Sequence, residues 1–548
     1  MNTKRFNFSL ADRLIVFACL IGLLAASFAV VPYLNNPYRF EDDARQHIFW
    51  TYKYRDKELF QNDFLASFMS SPQFAPFGYK TLYWLAAQFI DPLLFSKIFS
   101  FLLFPFFSIG IFLLGKEIRD EYVGILMAFL GLIYYEPVLA GSFQRSFSPI
   151  LLVFFLYSVL RKKPWEVGIV LFLTTLFYPP IFLNCILLLP LLWREKKSFS
   201  MNLFRKSFVP LAILLFCAGA VLCAAYFLTT TSHCYGPLVK YEDAIRMPEL
   251  WEHGRRPFFN KNPWIYYVGG LQCTTRSGIG ILSQPSLPAL LILVCFIAVW
   301  KTGKIEIEKT AIWLIFSSLL LFVIAHCFLF ELYLPVKYTS KTLPLAFIVI
   351  IATNIRRIYK VVQKSSIHVL FFQTFLKYSS VLLLITTVIP IVLAFTSRSY
   401  EPRKKLFDFV SGLPKNSLIL CHPDLADDIP LICKRRVLMC SELLLPYFVG
   451  FYKEARKRTY DIFSVIYAHN QQQINKIVKK YNITHIIIRK RDYDPHLLRQ
   501  PFVYYVPFNH QIKNIVSQNS DSGFFLLNNG KLKPIFKWGG FVIYELSK

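Results

Sequence analysis

The chain has 548 residues, of which 55% are hydrophobic and only 17% charged. A soluble fold needs a large polar exterior at any size, and this composition excludes one as the whole answer. The formal net charge of +28 would suit a nucleic-acid binder, but the basic residues fall in short runs between apolar segments, as they do in membrane proteins with basic cytoplasmic turns.

The first apolar run, Leu14 to Val31, is long enough to span ~30 Å of hydrocarbon and lacks a small-residue cleavage site, so it reads as an uncleaved anchor. Lys4, Arg5 and Arg13 before it place the N-terminus in the cytoplasm. A polar first outside loop, 33–76, follows. Further apolar runs are expected near Lys97–Leu114, Tyr122–Leu139 and Phe147–Leu160, with Arg161-Lys162-Lys163 inside. Val167 to Trp193 holds Tyr178-Pro179-Pro180, and tandem proline removes helical N–H donors. Two short limbs meeting near the outer face keep the basic run from Arg194 to Lys197 inside. Ser207–Thr229 then runs outward to a long outside loop, 230–285. Pro288–Trp300, Ala311–Phe330, Leu343–Thr353 and Val381–Phe395 complete the membrane region, residues 1–400. The expectation is a polytopic α-helical membrane protein of about ten to twelve transmembrane helices.

Residues 401–548 change character. Ser417–Cys421, Ile483–Ile488 and Phe541–Tyr544 are short β-like runs, and Gln471–Lys480 reads as a polar helix, which predicts a small α/β soluble domain. With the trace above, this domain and both long loops lie on one face, outside. Eleven cysteines include no CxxC and no zinc spacing. Cys234 and Cys273, in one outside loop, are either a disulfide or two free thiols.

The residues that stand out chemically follow the first span: Phe40-Glu41-Asp42-Asp43-Ala44-Arg45-Gln46-His47. Acids at a helix start gain from the dipole, and Asp42 to Arg45 is an i,i+3 pair. Three adjacent carboxylates nevertheless repel one another, and are more comfortable facing a metal, a cationic partner or a hydroxyl proton. Arg145 in an outside turn, Lys337 at the outer membrane edge and Glu136 near the outer end of a span are the other charged candidates. His326, inside a span, reads as a packed, hydrogen-bonded residue. Cys421-His422-Pro423-Asp424 and Asp427-Asp428 read as a strand ending in a polar turn.

The acid-acid-x-Arg pattern after the first span, followed by a helix and Leu59-Phe60-Gln61-Asn62-Asp63-Phe64-Leu65, resembles the GT-C glycosyltransferases. These include protein O-mannosyltransferases, aminoarabinose transferases of lipid A and oligosaccharyltransferases. Leu332-Tyr333-Leu334-Pro335-Val336-Lys337-Tyr338 resembles a Leu-Tyr-Leu-Pro-x-Arg-Tyr segment of bacterial members, with Lys337 in place of Arg. Met247-Pro248-Glu249 and Gly254-Arg255-Arg256-Pro257-Phe258-Phe259 also resemble such members. The resemblance implies a sugar donor on a polyprenyl phosphate, a glycan, lipid or protein acceptor, and a site on the outer face of a bacterial inner membrane, with a periplasmic C-terminal domain. It implies Asp42 or Asp43 as base, Arg145 and Lys337 as phosphate contacts, and Glu41 and Glu136 as secondary acids. Glu41, Asp42, Asp43 and Glu136 carry oxygens of the kind Mg²⁺ or Mn²⁺ takes, and the resemblance leaves metal use open. A transporter or flippase for lipid-linked glycans is the alternative, but that class buries ionisable residues at mid-membrane.

Overall fold

The computed structural model describes residues 10–72, 74–194, 208–229, 235–269, 276–281, 284–363, 401–494, 504–518, 523–528 and 532–546. The expected last span, Val381–Phe395, and both Cys234 and Cys273 lie outside the described residues.

The described chain is mostly helical. Asp12–Tyr33, Pro92–Ile118, Glu121–Ser142 and Lys309–Cys327 are long and apolar enough to cross a membrane by length and composition. Gln144–Leu160, Pro164–Phe177, Pro179–Leu189, Ile213–Ala224 and Ser286–Thr302 are shorter apolar helices. Phe17, Leu20, Leu24 and Phe28 on the first helix and Ile292, Phe296 and Val299 on a later one are exposed. Side chains of that size on one outer surface match lipid as their solvent. The first helix packs on Pro92–Ile118 where both carry small or rigid groups: a Cβ on Gly22 would sit 2.6 Å from Pro105 Cα. Ser108 Oγ donates to the Ala18 carbonyl across the same seam, at 2.7 Å. Close approach through small residues is how apolar helices gain packing without a hydrophobic driving force.

The tandem proline acts as expected. One helix ends at Phe177, Tyr178 turns the chain at φ −152°, and the next helix starts at Pro179. At the other end of the bundle, charges tie the expected inside turns together. Asp120 caps the helix from Glu121 by accepting from Val123 N at 3.0 Å, and also receives Arg356 Nε at 2.8 Å. Arg119 meets Glu306 at 2.8 Å. Each cation in these contacts has a carboxylate.

Residues from Glu401 onward contain a mixed five-stranded sheet of order β2-β1-β3-β5-β4, comprising β1 (Leu418–Leu420), β2 (Arg436–Val437), β3 (His485–Arg489), β4 (Pro534–Trp538) and β5 (Phe541–Glu545). β1 runs parallel to both β2 and β3, with Ile419 opposite Val437 on one side and His485 on the other. β5 is antiparallel to both β3 and β4, with Ile487 opposite Ile543. β3 is buried along its whole length, which explains its unbroken Ile486-Ile487-Ile488 run. Helices Val449–Ile466 and Gln471–Tyr481 complete the unit.

This domain is fastened to both long loops. Leu238 and Phe448 form an antiparallel bridge, with Val239 N donating to Tyr447 O at 2.9 Å and Val449 N to Pro237 O at 3.0 Å. The backbones touch here: a Cβ on Gly236, at φ +78°, would sit 2.4 Å from Gly450 N, so only glycine fits. Phe64 and Phe68 of the first loop stack on Phe451. Apolar contact and backbone pairing thus bring the three polar regions into one body.

Candidate active site

The acidic run lies at the junction of these three regions. Glu41 O accepts from Ala44 N at 3.0 Å and Glu41 Oε2 from Asp43 N at 2.8 Å, which winds the run into the short helix Ala44–His47. The three carboxylates then divide between two arginines. Arg145 pairs with Glu41 at 2.9 Å and with Asp43. It reaches them from a tight turn in which Gly141 adopts φ +85°, and a Cβ there would run into the Phe143 ring. Burial raises the pKa of Glu41 first and foremost, with Arg145 opposing and Asp42 and Glu136 adding to the rise.

Asp42 belongs to Arg45, as the i,i+3 spacing suggests. Arg45 Nη2 donates to Asp42 Oδ1 at 2.5 Å, and its Nε donates to the Asp42 carbonyl at 3.3 Å. The other side of the same guanidinium faces residues from the part of the chain that carries the sheet. It meets Asp428 at 3.1 Å, Glu442 at 3.0 Å and Asp427 at 3.9 Å. Arg255 meets Glu442 at 2.7 Å, Arg256 donates to the Glu442 carbonyl at 2.5 Å, and Arg403 meets Asp428 at 3.0 Å. Burial pushes Asp427 up to about 7, with the Glu442 charge adding, and pushes Asp428 up to about 6 against the pull of Arg45 and Arg403. Four arginines and four carboxyl groups meet in this one network.

Beside Arg145 the balance ends. Lys337, on the short helix Val336–Thr339, is pushed down to about 7 by burial, then by Arg145, Arg276 and Arg256. Lys341 is driven well below its ordinary value by burial, Arg145 and Lys337. Among the described residues neither lysine has an ion-pair partner; Lys337 lies 5.9 Å from the centre of the Tyr333 ring. His47 sits between the two groups, 5.5 Å from the Phe143 ring, with its Nδ1 buried and unpartnered. Burial, Lys337 and Arg256 lower its pKa to about 4, so its ring is neutral at pH 7.

The structure thus brings Glu41, Asp42, Asp43, Arg145 and Lys337 into one neighbourhood, and Glu136 is near enough for its charge to act on Glu41. Lys341, Arg276, Arg256 and Glu442 join them without a motif of their own in the sequence, apart from the Arg255-Arg256 pair. Guanidinium groups hold Glu41, Asp42 and Asp43, and no group of three or more His, Cys, Asp or Glu is placed to hold a metal among the described residues. His326 is packed as expected: its Nδ1 lies 2.9 Å from Phe322 O and its ring stands against Phe322, Tyr266 and Tyr267. Cys421 is buried, its thiol pKa raised well above normal by that burial, and His422 pairs with Asp424 at 2.5 Å. A neutral buried thiol is not a nucleophile.

No family model matches the chain, and no curated protein matches it. Among solved structures, the oligosaccharyltransferase of Archaeoglobus fulgidus tethered to an acceptor peptide is similar at a TM-score of 0.47 and 11% identity, over 88% of this chain and 70% of that one. The same organism's oligosaccharyltransferase in complex with an inhibitory peptide and a dolichol-phosphate gives 0.49 and 11%, over 89% and 71%.

Proposed function

We propose that this chain is a GT-C-type membrane glycosyltransferase that moves a sugar from a polyprenyl-phosphate-linked donor to a hydroxyl of a glycan, lipid or protein. The reaction takes place at the outer face of a bacterial inner membrane, with the N-terminus cytoplasmic and residues 401–548 periplasmic. The observation that carries this reading is the neighbourhood of Arg145. On one side stand carboxylates suited to take a proton; on the other stand Lys337 and Lys341, half-buried cations with no ion-pair partner among the described residues. Burying an uncompensated cation is costly, and an anionic ligand relieves the cost. A lipid phosphate arriving at the membrane edge is such a ligand.

In this reading the acceptor oxygen attacks the anomeric carbon of the donor, and the bond from that carbon to the phosphate oxygen breaks. The acceptor proton passes to Asp42. The electron pair of the broken bond leaves on the lipid phosphate, where Lys337 and Lys341 meet the developing charge. Glu41 and Asp43 hold Arg145 against the phosphate cradle. Asp42 is chosen over Asp43 because Asp43 shares Arg145 with Glu41, whereas Asp42 is the more exposed of the two and faces the soluble domain, where an acceptor is reached.

The test is to compare lipid-linked sugars and envelope glycans by mass spectrometry in cells carrying the wild-type chain, no chain, or Asp42→Asn. A transferase leaves its lipid-linked donor accumulating in the second and third cases, with one glycan lost from both. Normal glycans in the Asp42→Asn cells would end this reading. A donor trapped on the cytoplasmic leaflet would indicate a flippase instead.

A further inference from the structure

The first loop and the soluble domain already adhere without charges. Phe64 and Phe68 stack on Phe451, and the Leu238–Phe448 bridge joins the middle loop to the same helix start. Yet the same junction buries Arg45 among Asp42, Asp427, Asp428 and Glu442, its side chain only 5% exposed. A network of this kind contributes little net adhesion, because desolvation offsets most of the Coulomb gain. What it supplies is geometry: a planar guanidinium with forked donors fixes its partners in distance and in plane.

We propose that Asp428 and Glu442 of the soluble domain are positioning residues for transfer, acting through Arg45 on Asp42. The inference rests on the assignment of Asp42 as base. Arg45 grips Asp42 twice, at the carboxylate and at the main-chain carbonyl, so the orientation of the guanidinium sets both the side chain and the backbone of the base. That orientation is in turn set from the far side. Asp428 takes Nη1 and Glu442 takes Nη2. Each of these carboxylates is anchored behind, Glu442 by Arg255, Arg256 and Gln46 and Asp428 by Arg403. Asp427, which accepts from Glu442 N at 2.7 Å and from the Ser441 hydroxyl, fixes the turn that carries Glu442. The soluble domain is therefore part of the catalytic site and not only a neighbour of it.

The test uses the full-length protein in nanodiscs, with the lipid-linked sugar extracted from cells lacking the chain as donor and release of polyprenyl phosphate as the readout. Arg45→Lys keeps the charge and loses the fork; Glu442→Asp keeps the charge and withdraws it by one methylene. Both should lose kcat by about 10²-fold, the effect of an ångström-scale misplacement of a catalytic group, with donor KM within about twofold and an unchanged unfolding temperature. Wild-type turnover in both variants, with Asp42→Asn inactive, would overturn the positioning role and leave the base assignment standing. A loss of turnover matched by an equal loss of folded protein would also overturn it, since the network would then be a clamp alone. Full activity in Asp42→Asn would remove the base assignment and this inference with it.

Discussion

Two groups of cations lie side by side in this molecule, and they differ in what accompanies them. Around Arg45, four arginines face four carboxylates, and each charge is answered within the chain. Around Lys337 and Lys341 the cations face one another, and burial drives both lysines toward their neutral forms. A balanced buried network specifies an arrangement; an unbalanced one carries a desolvation cost that an anion would relieve, which is the basis of the proposed phosphate site. The charge ties at the opposite end of the bundle, such as Asp120 with Arg356, belong to the first kind.

The comparison can be broken most severely at Asp42, the proposed base. Asp42→Asn keeps the shape of the side chain and should cut transfer by about 10²–10⁴-fold, measured as donor consumption in membranes. Arg45→Met comes next: stranding its carboxylates should destabilise the fold by about 3–5 kcal/mol, read in a thermal or denaturant unfolding series. The unbalanced group predicts the opposite sign. Lys337→Met and Lys341→Met should leave the donor-free protein as stable as wild type or more so, while weakening donor binding by ~1.5–3 kcal/mol each. If these two variants unfold as Arg45→Met does, the distinction between the groups fails.

A pH series sharpens the same contrast. Lys337, at about 7 in the folded donor-free protein against 10.5 ordinarily, is charged below pH 7 and neutral above it. A phosphate binds the charged form, so donor affinity should weaken as pH rises through 7, by up to about tenfold per unit. Stability of the donor-free protein should move the other way, rising with pH between 7 and 10.5, because the unfolded chain binds the extra proton there. The smallest effect is expected at the inner ties. Asp120→Asn should cost about 1 kcal/mol or less and leave transfer unchanged.

How much of this was legible in the sequence depends on the range of the interaction. The Tyr178-Pro179-Pro180 break and the Asp42–Arg45 pair are local, set by neighbouring residues, and both read directly. Three of the five strands overlapped expected β-like runs, β3 and β5 each running one residue further. β2 did not, because two residues carry no period, and neither did β4, whose alternating exposed residues Ile535 and Lys537 resemble a loop. The helix Val449–Ile466 was hidden by its high charge. Arg145 and Lys337 stood out from their expected place at the outer ends of spans, and the structure sets them near the acidic run. Glu442 carried no signal, being a single acid in a chain with 33 Asp and Glu residues, and it matters only because folding sets it on Arg45. Lys341 carried no signal either, because a lysine near an interface ordinarily snorkels to headgroups; here it is half-buried beside Arg145 and Lys337.

The bond between Arg45 and Glu442 joins positions 397 residues apart. At translation rates of about 5–20 residues per second, the first loop waits roughly 20–80 s for the partner that orients its arginine. Until then Arg45 has only Asp42, within its own loop, while Arg145 can already meet Glu41 and Asp43. A chain stopped before Glu442 should therefore lack the contacts that orient Arg45 from the far side while keeping those that Arg145 makes.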